Sequence, residues 1–221
     1  MTNRAFTLAE VLITLGIIGV VAAMTLPSVI NSTKNKQLEA SFKKQYSQIS
    51  KVLDYMYAND MCTTPDCLSS SNLFEVYNLM AAVVKKCTPD SVDEKYCVSG
   101  TRDPSYKNFT RKISPVITDA IDDYQVILSD GALVTFDSWN GTVTIGVDVN
   151  GKDKLPNALG HDVFLFAVIN KANRGIVIPY GAKGAPDEET NCDYSGRDSA
   201  YNGLGCAVKA LSDPDFFKKL P

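Results

Sequence analysis

At 221 residues with 45% hydrophobic side chains, the chain is long enough for one core-forming domain plus an additional element, and its composition excludes a disordered polypeptide. A formal net charge of −3 supplies no overall positive field, so no nucleic-acid partner is expected. With a single histidine and no nucleophile elbow, phosphate loop or His-Glu metal motif, histidine-based chemistry lacks material; no enzyme is expected, and Asp122-Asp123 and Glu188-Glu189 read as solvated loop charges.

Residues 1–5 are polar with one positive charge, and the 25 residues from Phe6 to Ile30 carry a single charge, Glu10. At about 1.5 Å per helical residue this stretch reaches roughly 37 Å, enough to cross a bilayer core of about 30 Å. Arg4 on one side and Lys34, Lys36, Lys43 and Lys44 on the other give opposed votes on orientation. A cleaved secretory signal would place its cut after the apolar run, near Ala22-Ala23, yet the run continues to Ile30. A plain anchor leaves Glu10 unexplained, because a carboxylate inside an apolar helix is expensive without a partner.

The run Ala5-Phe6-Thr7-Leu8-Ala9-Glu10-Val11-Leu12-Ile13, continuing through Gly16, Gly19, Ala22, Ala23 and Pro27, resembles the N-terminal class III signal of type IV pilins and type II secretion pseudopilins. The resemblance implies that an inner-membrane prepilin peptidase cuts between Ala5 and Phe6 and methylates the new amine of Phe6, leaving the helix in the mature protein. The family usually has Gly where this chain has Ala5. It further implies a single-pass protein of the inner membrane with its head in the periplasm, later part of a periplasmic or extracellular filament. Implied partners are the membrane, other pilin or pseudopilin subunits and the inner-membrane assembly platform. In such a filament Glu10 would pair with the Phe6 amine of a neighbouring subunit, offsetting two charges that are each costly alone. Pro27 is expected to kink or loosen the helix around residues 23–27, a stretch that resembles the region able to unwind during assembly. The implied function is a structural subunit, major or minor, of a type IV pilus or a type II secretion pseudopilus. The alternative is a minor pilin whose head binds a surface, DNA or a secreted protein.

The chain then divides, on this reading, into a leader (1–5), a transmembrane and filament-core helix (6–30), an amphipathic helix continuing into the head (31–58) and a globular head (59–221). Leu38, Phe42, Tyr46, Ile49, Val52 or Leu53, and Met56 recur at spacings of three and four, the stripe of a helix laid on a core. Residues 59–114 form an irregular insertion with one helix, Asn72 to Lys86, whose apolar face holds Leu73, Val76, Tyr77, Met80, Val83 and Val84 and whose start Ser71 or Asn72 caps. The six cysteines fall as three sequence-local pairs, Cys62 with Cys67, Cys87 with Cys97 and Cys192 with Cys206, the simplest of many connectivities. Disulfides fit better than zinc, since no Cys-x-x-Cys occurs. From Tyr124 the period becomes two, with hairpin turns at Asp130-Gly131 and Asn140-Gly141 and further strands at Phe164–Ile169 and Gly175–Ile178. The expected fold is α+β, pilin-like: a long helix across one face of an antiparallel meander (124–178).

Residues 147–164 cluster oxygen-bearing side chains around two glycines. Asp148, Asn150, Asp153 and Asp162 are candidate ligands for a structural Ca2+, with Asx side chains capping loop amides as the competing explanation. No other cofactor is expected. His161 is expected on the loop surface, imidazole being a poor calcium partner.

Overall fold

The structure, a computed structural model, describes residues 7–93, 95–99, 103–112, 114, 117, 119–139, 141–186, 191–196 and 199–220. Ala5, Phe6, Glu188 and Glu189 lie outside the described residues. Contacts divide the chain into two units, Met1–Gln37 and Leu38–Pro221.

Helix α1 (Leu8–Ala58) begins in the first unit and ends in the second. Through Ile30 its apolar side chains are bare: Leu12, Ile13, Leu15, Ile17 and Ile18 are each more than half exposed. Thr14, Thr25 and Thr33 turn their hydroxyls back onto the carbonyls of Glu10, Val21 and Val29, which satisfies these donors without solvent. The expected loosening at Pro27 does not end the helix, which continues through it. Proline removes one backbone donor, and the flanking turns carry the helix across that gap.

In the head, the periodic stripe becomes a buried one. Phe42, Ile49, Val52, Leu53 and Met56 are almost wholly inaccessible, while Leu38 and Tyr46 are partly buried against the same core. Helix α2 (Ser70–Met80) starts one residue after Ser69, whose Oγ accepts from the Asn72 amide at 3.2 Å. The helix expected to reach Lys86 stops at Met80, and Val83–Cys87 is strand β1. The β-branched pair Val83-Val84 suits a pleated strand, and pairing with residues Gln125–Leu128 outweighs the local helical period.

Six antiparallel strands follow one another in spatial order: β1, β2 (Tyr124–Leu128), β3 (Leu133–Trp139), β4 (Thr142–Asp148), β5 (Val163–Lys171) and β6 (Arg174–Pro179). The meander therefore gains β1, and β5 and β6 are longer than the sequence suggested. Gly131, in the β2–β3 turn, has φ +91° and Gly151, after β4, φ +86°. A Cβ on Gly151 would stand 2.1 Å from the carbonyl oxygen of Gly131, so only glycine lets these two turns approach.

Both sheet faces are covered, not one. Val126, Val134, Phe136, Ile145, Phe164 and Phe166 join α1 and α2 in the larger core. On the other face Leu133, Leu165 and Ala167 pack with Tyr106, Ile121 and Leu204, residues supplied by the 98–121 stretch and the tail. A chain too long for a two-layer head closes over the second face, and strands β4 and β5 are accordingly buried through most of their length. Helix α3 (Cys206–Ser212) and Phe216–Phe217 finish the larger core, with the Phe217 ring 5.7 Å from that of Phe42.

Candidate functional site

The first turn of α1 places Thr7 and Glu10 in a reciprocal cap. The Thr7 amide and hydroxyl both donate to Glu10 Oε2 at 2.8 Å, and the Glu10 amide donates to Thr7 Oγ1 at 3.3 Å. This is the Thr-x-x-Glu capping box, a signal legible in the sequence but overlooked there. A carboxylate at this end of a helix also meets the positive pole of the helix dipole. All three bonds use atoms from Thr7 onward, so a cut between Ala5 and Phe6 leaves the cap in place. The same side chain is thus held in a fixed rotamer at the N-terminal end of α1, where it can accept further donors.

Downstream of this cap, one stretch of α1 is long and apolar enough to cross a membrane by length and composition, and none of that stretch is buried. Bare Leu, Ile and Val over more than six turns cannot be left in water and require lipid or other apolar helices.

The oxygen-rich loop after β4 is built differently from an open ion cage. Asp148 Oδ1 accepts from the amides of Asn150 at 3.3 Å and Gly151 at 2.8 Å, and Asp148 Oδ2 accepts from the Tyr106 hydroxyl at 3.0 Å. Asp162 accepts from the amides of Asn157 at 3.0 Å and Ala158 at 2.7 Å. These two carboxylates, with Asn150 beside Asp162, come together as staples of the loop. Asp153 is exposed and is not among them. The calcium set is therefore only partly assembled, and its two buried carboxylates are engaged by chain donors, although the Oδ1 atoms of Asn150 and Asn157 have no hydrogen-bond partner among the described residues. His161, expected on the surface, is 3% exposed. Its Nε2 lies 3.2 Å from the Phe109 carbonyl and its ring 4.9 Å from the Phe109 ring. The loop folds inward to close the second sheet face, and burial lowers this imidazole to about 4, so it is neutral at physiological pH.

Burial raises the pKa of both Asp148 and Asp162, and for Asp148 the charge of Asp162 adds to the rise. The pair retains a proton in the folded state at pH values where the unfolded chain has lost both. The stability linked to that proton is present in full below about pH 4 and is lost as the pH rises through the elevated folded values. In EDTA the head is expected to lose about 5 °C of melting temperature between pH 5 and pH 8.5. Asp148→Asn should flatten that slope, as read by circular dichroism melts.

Three disulfides are formed, Cys62–Cys67, Cys87–Cys97 and Cys192–Cys206. They hold the turn after α1, the end of β1 and the tail that carries α3.

Among comparisons with known proteins, the model of the family described as Prokaryotic N-terminal methylation motif matches residues 1–26. No curated protein and no solved structure matches the chain. The match covers the leader, the capped Glu10 and most of the bare half of α1, and stops short of the head. Residues 1–26 are thus similar to the N-terminal methylation motif, the signal of type IV pilins and pseudopilins.

Proposed function

We propose that the chain is a structural subunit, major or minor, of a type IV pilus or a type II secretion pseudopilus. In this reading prepilin peptidase removes residues 1–5, and the head sits in the periplasm until the subunit enters a filament. The observation that carries the reading is the methylation motif placed directly on the capped start of α1 and its bare apolar stretch. The motif supplies processing and the bare helix supplies a surface that only lipid or sister helices can cover. The disulfide-closed head suits an oxidising compartment outside the cytoplasm. Other subunits dock side by side in a heterologous, helical array whose core is made of these helices.

Mass spectrometry of the protein purified from its host membrane tests the proposal. The expected N-terminal peptide begins at N-methylated Phe6. A mature protein that retains Met1 through Ala5 would overturn it.

A further inference from the structure

Asp122 and Asp123 were expected to be solvated loop charges, and the structure corrects this. Strand β2 pairs Tyr124 with Phe136 and Gln125 with Thr135, and one step further this register sets Asp123 against Asp137 of β3. Ligand oxygens of Asp122, Asp123 and Asp137 lie within 4.8 Å of one another. Asp137 occupies the face of β3 shared with Leu133 and Thr135, which described residues of the 98–121 stretch and the tail cover; it is 5% exposed, and its Oδ2 has no hydrogen-bond partner among the described residues. Asp122 and Asp123 are half-buried.

An orphaned, buried carboxylate oxygen facing two more carboxylates is an unusual arrangement. Burial, then the charges of Asp123 and Asp122, push Asp137 up to about 7, and Asp119 adds a further negative charge near Asp122. Contact between Asp137 and Asp122 is favourable only when something positive lies between the two groups.

We propose that Asp122, Asp123 and Asp137 form a divalent-cation site of the hard, oxygen-preferring kind that Ca2+ represents, tying the entry of β2 to β3. Oxygens bound to one Ca2+ at about 2.4 Å can stand no more than about 4.8 Å apart, an upper limit that the three carboxylates satisfy. Three carboxylates offer up to six oxygens, and the half-exposed side at Asp122 and Asp123 admits water to complete the shell. Among the described residues no nitrogen or sulfur ligand belongs to the cluster, so softer metals are disfavoured. The 148–162 loop is the weaker candidate, because both its carboxylates already accept from amides or Tyr106. In contrast, Asp137 Oδ2 has no hydrogen-bond partner among the described residues. The site does not depend on the filament role.

The test uses the full-length chain in detergent micelles, stripped of metal with EDTA and titrated with CaCl2 by calorimetry and by thermal melts. The expected Kd is about 10⁻⁴ to 10⁻³ M, in the range of extracellular calcium modules. At 10 mM CaCl2 the melting temperature should rise by about 3–8 °C, and MgCl2 should do less. Asp137→Asn, which preserves shape, should weaken Ca2+ binding at least about tenfold while melting in EDTA at or above the wild-type temperature. The Asp122→Asn/Asp123→Asn double variant, altered at half-exposed positions, should lose binding similarly, and Asp153→Asn should bind as wild type. A wild-type protein without a Ca2+ response, or Asp122→Asn/Asp123→Asn or folded Asp137→Asn proteins that bind as wild type, would overturn the assignment.

Discussion

Glu10→Gln is expected to insert into the membrane and to be processed normally, yet to enter sheared filaments at a level lower by about an order of magnitude or more. The choice of glutamine follows from the cap. Glu10 holds the Thr7 amide and hydroxyl through one carboxylate oxygen, and a capping box accepts Gln in place of Glu. Glu10→Gln therefore keeps the first turn of α1 and removes only the negative charge, whereas Glu10→Ala removes both. If charge pairing with the Phe6 amine of the next subunit drives assembly, the two variants fail alike. Thr7→Val, which weakens the cap and leaves the charge, should then assemble. Normal assembly of Glu10→Gln beside failure of Glu10→Ala would assign the residue to helix capping and remove the pairing argument. Immunoblots of the sheared and membrane fractions distinguish these results.

Elements set by local periodicity were legible in the sequence, and those set by distant partners were not. The three-and-four spacing from Leu38 to Met56 reports the buried stripe of α1 because a helix on a core needs nothing beyond its own residues to define that face. Asp130-Gly131 marks the β2–β3 turn for the same reason: the positive φ of Gly131 is a local requirement. Val83-Val84, in contrast, continues the apolar period of α2, and only its pairing with β2 makes it a strand. Gln45 also escaped notice. It lies in the apolar stripe fully buried, where its side chain donates to Asp130 Oδ2 at 3.2 Å and accepts from the Tyr77 hydroxyl at 3.4 Å, partners remote in sequence. The acidic cluster was hidden similarly. An Asp alternating with Thr135 on a strand reads as solvent-facing, and only the cover over the second sheet face turns Asp137 inward. At the N-terminus both the motif and the Thr7-x-x-Glu10 capping box are legible as local patterns, and the geometry adds that one Glu10 oxygen takes both Thr7 donors.

Phe42→Ala is the substitution expected to cost the head most. Its ring is inaccessible to solvent and lies 4.4 Å from Phe164, 5.8 Å from Phe166 and 5.7 Å from Phe217. It thereby joins α1, the β5 face and the C-terminal tail at one point. Truncation leaves a cavity among two rings anchored on β5 and one in the tail that cannot all collapse inward, so the loss is about 3–5 kcal/mol. Against a usual total of about 5–15 kcal/mol, that lowers the melting temperature by about 10 °C or more. Val20→Ala supplies the contrast, because Val20 belongs to the same helix but is 57% exposed. Its removal should leave the head melt within about 1 °C of wild type, as expected for truncation of an exposed side chain. The two results together would show that one helix answers to two solvents: residues from Leu38 onward to the head's own core, and those before Gln37 to lipid or neighbouring subunits. Equal destabilisation by both substitutions would instead mean that the bare half of α1 folds back onto the head.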